Sequence, residues 1–247
     1  MKLNRIIPVL LPLLLASCKA PLAVGSVVAN KNQSINAQLQ EDPAMAAFIA
    51  PYKVTLEEKM SAPIASTTEP LTRQGANSSL GNLMADLTLF GAQDFAKSQG
   101  LGQIDAAIIN IGGLRTDLSA GEITLGNIYE VMPFENELVL VSMDKKAMEE
   151  LFEFYRANKG NNPVSGLLIE TSADKLQRAL VGGRPLEEGK KYVVATSDYL
   201  ALGGDNMSFF QKGEIQLTGI KLRDLYIEKF REIKEIKAPT DQRLLYK

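Results

Sequence analysis

The chain has 247 residues, 45% of them apolar and 23% charged, enough for one globular domain with a full core. Its formal charge of -2 argues against a nucleic-acid polymer as the main partner. It holds one cysteine and no histidine, so an internal disulfide and any serine or cysteine chemistry with a histidine base are excluded.

Residues 1–17 carry Lys2 and Arg5, then a leucine-rich run from Ile6 to Leu15. That run is too short to span a bilayer and has the proportions of an export signal. Leu15-Ala16-Ser17-Cys18 resembles a bacterial lipobox, which predicts lipidation of Cys18, a membrane anchor through its acyl chains and residence in the bacterial cell envelope. The alternative is an ordinary signal peptide with a stray cysteine. Residues 18–41 are small and polar with no helical stripe and read as a flexible tether, leaving 42–247 as the folded domain.

Asp42-Pro43 makes a good cap and first-turn pair for a helix running to about Lys59, with Ala47, Phe48 and Leu56 inward and a break or kink at Pro51. Residues 62–68 read as a strand. Ser78-Ser79 then cap a helix from Leu80 to about Lys97, with Leu83, Leu87 and Phe90 at helical spacing. A short buried strand, 106–109, leads into Asn110. Thr124 caps a short helix to Val131, and 137–143 is a strand of nearly continuous apolar character. Asp144 caps an amphipathic helix to about Ala157, whose Met148, Leu151, Phe152 and Tyr155 form the inward stripe. Strands follow near 166–170 and 192–196, with a hairpin turned at Gly182-Gly183 between them. Thr218 is the expected cap of a last long helix to about Lys234, and 243–246 closes as an edge strand. Helices alternating with strands, some joined by hairpins, predict an α+β fold in which a mixed sheet is flanked by helices.

Three stretches stand apart from this framework. Asn110-Ile111-Gly112-Gly113-Leu114-Arg115 leaves a buried strand through paired glycines, where the backbone can approach a ligand. Asn110 offers a donor and an acceptor there, and Arg115 a planar fork of donors. Read alone, the stretch fits a plain turn with a surface arginine equally well. Met132-Pro133-Phe134-Glu135-Asn136 follows it, and later Ser197-Asp198-Tyr199-Leu200-Ala201-Leu202-Gly203-Gly204-Asp205. Together, and with Gly81-Asn82-Leu83-Met84-Ala85-Asp86 ahead of them, these motifs resemble the C-terminal, substrate-binding domain of the 5′-nucleotidase family over roughly residues 43–247.

The resemblance implies a 5′-nucleotidase C-terminal-like fold and assigns roles. Phe134 and Tyr199 would sandwich a nucleobase, an interaction worth roughly 1 to 3 kcal/mol per base. Asp205 would accept hydrogen bonds from the ribose hydroxyls, its alternative being a turn aspartate bonded to its own backbone. Asn110 and Arg115 match the ribose and phosphate contacts. Asn136 matches a position that reaches the base edge, though a solvent-facing turn is equally consistent with it. An arginine usual near the cap of the second helix is displaced here, with Ala76-Asn77 in its place and Arg73 as the substitute.

Full-length members carry an N-terminal metallophosphoesterase domain whose two metals and catalytic His-Asp pair need several histidines, and this sequence has none. No catalytic residue and no metal ligand is therefore assigned. Two readings lead: the specificity subunit of a split 5′-nucleotidase, with divalent metals held by a separate metallophosphoesterase chain, or a stand-alone nucleoside- or nucleotide-binding envelope lipoprotein. A scaffold that keeps only the fold is the third.

Overall fold

A computed structural model describes residues 24–29, 31–32, 34–36 and 39–247. The export segment 1–17 and Cys18 lie outside the described residues, as does part of the tether. By its contacts the chain divides into residues 1–48 and 49–247. In the first, residues 24–29 are exposed and without regular structure. Asp42 Oδ1 there accepts from the amides of Ala44 and Met45, at 2.9 and 3.1 Å, capping helix α1 (Pro43–Met60) as expected.

α1 runs through Pro51 without a break, and the expected inward residues are not inward: none of its residues is buried, with Ala47, Phe48 and Leu56 all exposed. Met45, Phe48, Ile49, Tyr52 and Leu56 recur at helical spacing along one side, with Val54 opposite, but that side is exposed.

In residues 49–247 the framework is a five-stranded sheet in the order β5 (Val164–Ser165), β2 (Ala106–Ile108), β8 (Tyr192–Ser197), β4 (Glu137–Met143), β9 (Glu214–Lys221). β2 runs parallel to β8, and the other neighbours are antiparallel. Side chains alternate between the faces with period two, and both faces are buried. Leu138, Leu140, Ala107, Ile109 and Ala195 meet α2 (Ser79–Ser98), α3 (Leu125–Val131) and α6 (Leu222–Ile233). Val139, Val141, Met143, Ala106 and Ile108 meet α4 (Lys145–Asn158) on the other side. Burial on both faces explains why β4 reads as an unbroken apolar run. In α4 the expected stripe of Met148, Leu151, Phe152 and Tyr155 is buried, and Asp144 Oδ1 accepts from the Ala147 amide at 2.8 Å.

Two three-stranded sheets complete the domain. One has the order β10 (Glu235–Ile236), β1 (Pro63–Thr67), β3 (Gly121–Thr124). The other is β11 (Leu244–Tyr246), β6 (Leu167–Ser172), β7 (Lys175–Val181). Together the sheets confirm the mixed α+β architecture.

Local corrections are three. Phe90 is exposed, because α2 packs through Leu80, Met84, Leu87 and Gly91, and a Cβ at Gly91 would stand 2.4 Å from Leu225 of α6. The β6–β7 hairpin turns at Ala173-Asp174, both at positive φ, while Gly182-Gly183 makes a second tight turn closed by Val181 and Arg184. Thr218 caps nothing: it lies in β9, where its hydroxyl donates to the Leu138 carbonyl at 2.6 Å, and α6 starts four residues later at Leu222. β9 is an edge strand with Ile215 and Leu217 exposed, so it lacks the alternation by which strands are read.

Candidate functional site

β2 delivers Asn110 to the end of the central sheet, where residues 111–113 form a single 3-10 turn. Neither Gly112 nor Gly113 takes a positive φ. Room is tight at 113, where a Cβ would lie 3.0 Å from Asn110 Oδ1, whereas one at Gly112 would make ordinary contact with Asn110 Nδ2 at 3.9 Å. Asn162 Oδ1 fixes the turn by accepting from the Ile111 amide at 3.0 Å. Arg115 Nη1 donates to the Gly112 carbonyl at 3.1 Å, and its guanidinium stands 5.9 Å from the centre of the Phe134 ring. Among the described residues no carboxylate pairs with Arg115.

The Phe134 loop follows α3, whose start is fixed by a capping box between Thr124 and Asn127. Its end is tied to the first turn by the Arg115 amide, which donates to the Val131 carbonyl at 2.9 Å. From α6, the buried Arg223 pairs with Glu135, reaches the Phe134 carbonyl at 3.4 Å and lies 4.3 Å over the Tyr129 ring. The Leu222 amide donates to the Asn136 carbonyl at 2.9 Å. The loop is therefore held at both ends, leaving the Phe134 ring 40% exposed.

The third motif leaves β8 through the short helix α5 (Asp198–Ala201), capped by Ser197 Oγ, which accepts from the Leu200 amide at 3.2 Å. Tyr199 is 45% exposed, and its hydroxyl donates to Asp205 Oδ1 at 2.8 Å. That hydrogen bond to a carboxylate raises the Tyr199 phenol above its usual value of 10.0.

Asn110, Gly112, Arg115, Phe134, Asn136, Tyr199 and Asp205 line one cleft of about 390 Å³. Six of the seven residues expected at the site come together there. Arg73 is not among the lining residues. Its Nη1 donates to the Leu114 carbonyl at 3.1 Å and its Nε lies 3.9 Å from Asp117, so it braces the Arg115 turn from outside the cleft.

Two half-exposed rings, one guanidinium, one carboxylate and two carboxamides suit a ligand with a flat ring, hydroxyl donors and an anionic end. A larger groove of about 600 Å³ beside α3 and α6 carries Asp224, Glu228 and Glu232 against Arg231 alone, which disfavours an anionic ligand. Among the described residues no group of three or more Asp, Glu or Cys side chains is placed to hold a metal ion. Arg223 and Asn162 leave no local signal in the sequence, because they act across the fold.

The family model for the 5′-nucleotidase C-terminal domain matches residues 62–212. A 5′-nucleotidase of Vibrio vulnificus is 26% identical over 180 residues, covering 69% of this chain and 31% of that protein. A cell wall protein of Listeria monocytogenes is 33% identical over 154 residues, covering 56% of this chain and 19% of that one. In fold, the chain is similar to a crystal structure of a 5′-nucleotidase precursor from Thermus thermophilus, with a TM-score of 0.66 and 24% identity over 82% of this chain and 42% of that one. The chain thus spans less than half the length of each of these relatives. With the matched segment carrying all three motifs and the cleft they build, the chain belongs to the family of 5′-nucleotidase C-terminal domains.

Proposed function

We propose that this chain is the nucleotide- or nucleoside-binding specificity subunit of a split 5′-nucleotidase, non-catalytic by itself. A separate metallophosphoesterase chain would carry the divalent metals and hydrolyse the phosphate ester, and a lipid on Cys18 would hold this chain in the bacterial envelope. The observation that carries the reading is the convergence of Asn110, Arg115, Phe134, Asn136, Tyr199 and Asp205 on one cleft from three separate stretches of sequence.

Each residue has a chemical task in this reading. Phe134 and Tyr199 stack the base. Asp205 accepts from ribose hydroxyls, so an analogue lacking them leaves a carboxylate without its partners. Arg115 meets the 5′-phosphate with its unpaired N–H groups, while Asn110 and Asn136 take sugar and base edges.

Calorimetric titration of the intact chain tests this. Adenosine and its monophosphate should bind, and Phe134→Ala or Tyr199→Ala should weaken either by roughly 5-fold to 100-fold through lost stacking. Arg115→Ala should cost the monophosphate more than the nucleoside. Adding the candidate metallophosphoesterase should then bring hydrolysis that depends on the same residues. Binding without any gain of hydrolysis would favour the stand-alone binding lipoprotein, and no binding with or without that partner would leave only a scaffold.

A further inference from the structure

Tyr199 and Asp205 form a single unit. The Tyr199 hydroxyl donates to Asp205 Oδ1 at 2.8 Å and accepts from the Asp205 amide at 3.3 Å. One phenol therefore fixes both the backbone and the side chain of residue 205. Asp205 is held at φ 51, ψ 29, a left-handed conformation in which a non-glycine residue rarely rests without local support. The Tyr199 ring is seated on Gly204, where a Cβ would stand 2.6 Å from ring atoms Cε1 and Cζ. Asp205 Oδ2 has no protein partner among the described residues, and the side chain lines the cleft.

A partly exposed aspartate in a turn would otherwise sample several rotamers, and a ligand would have to order it on binding. A charge-assisted hydrogen bond at 2.8 Å removes that freedom beforehand. We propose that Tyr199 is a positioning residue for sugar recognition: its hydroxyl holds Asp205 through Oδ1 so that Oδ2 is presented to a hydroxyl of the ligand. The ring and the hydroxyl then have separate tasks, the ring stacking the base and the hydroxyl setting the site's preference for a hydroxylated sugar. This rests on the nucleoside-binding reading above.

Tyr199→Phe keeps the ring and removes only the hydroxyl. Titration of the intact chain with adenosine and with 2′,3′-dideoxyadenosine gives a selectivity ratio that a merely structural change, acting on both ligands alike, would not move. In Tyr199→Phe the ratio should fall by roughly 2-fold to 12-fold, the cost of ordering one side chain on binding, through a larger loss for adenosine than for the dideoxy analogue. In an Asp205→Ala background the same change should leave the ratio where it is, because nothing remains to be positioned. An unchanged ratio, an equal loss for both ligands, or tighter adenosine binding in Tyr199→Phe would overturn the inference, the last by showing that the hydroxyl competes with the ligand. Those results differ from failure of the underlying reading, in which the wild type binds neither ligand and both conclusions fall together.

Discussion

Gly204 shows how much of the site depends on an absent side chain. A Cβ there would approach not only the Tyr199 ring but also the Tyr199 carbonyl oxygen, again at 2.6 Å, and a backbone atom cannot rotate away. Gly204→Ala should therefore displace the ring, weakening adenosine binding at least as much as loss of one stacking partner, roughly 5-fold or more. It should also lower stability by about 1 to 3 kcal/mol, measurable by urea unfolding. Wild-type affinity in this variant would mean that the ring is free to sit elsewhere. Phe134, Tyr199 and Asp205 could be found in the sequence because each lies within a contiguous motif whose local turn sets its direction. Arg223 could not: it meets Glu135 across 88 residues, and nothing around it in the sequence marks it. Arg73 fails for a related reason, since a residue ahead of a helix cap is aimed by tertiary contacts, here Leu114 and Asp117.

Among the elements, α2 and β11 are joined by the most enclosed ion pair of the described residues. Arg243 is buried, and its Nη1 and Nη2 each donate to a different oxygen of Asp86 at 2.8 Å. It also reaches the carbonyls of Val164 and Asn82, and its Nε donates to Asp241 at 2.7 Å. When Asp86 is removed Arg243 keeps Asp241 as a counter-ion, so the loss is that of two charge-assisted hydrogen bonds on a buried guanidinium. Asp86→Ala should thus cost about 1.5 to 3 kcal/mol in urea unfolding; a loss within about 0.5 kcal/mol, the neutral range for a surface change, would show that Asp241 and water replace the carboxylate. Asp241 is held below its usual value of 3.8 by its hydrogen bonds from Arg243. A depressed carboxylate stabilises the fold above its unfolded value and loses that contribution as pH falls through the lower folded one. Unfolding of the wild type should accordingly steepen in acid below about pH 4, and Asp241→Asn should flatten part of that slope. The long elements were legible for a physical reason. In α4 the apolar spacing matches one buried face, and in β4 both faces are buried. The short strands β3, β5 and β10 and the exposed β9 carry neither pattern, which is why Thr218 inside β9 resembles a helix cap in the sequence.

At the scale of the molecule, the central sheet separates two apolar layers, and the cleft sits where loops leave β2 and β8 and enter β4. The rigid parts are thus inside and the ligand-facing parts are short turns tethered to them, an arrangement that fixes geometry without enclosing the site.

The same sheet that anchors the cleft leaves one flank open at β9. Along it Leu217 is 67% exposed, and among the described residues the outer row of backbone donors and acceptors has no neighbouring strand. An open flank of this kind is a template for intermolecular pairing, the first step towards aggregates and cross-β assemblies. Its cost would appear on concentration rather than on folding: light scattering should rise with protein concentration in the wild type and be suppressed in Leu217→Lys, with adenosine affinity unchanged. Equal scattering from the two would place the association elsewhere. Storage behaviour and ligand recognition thereby depend on different residues of one sheet, and the first can be engineered without touching the second.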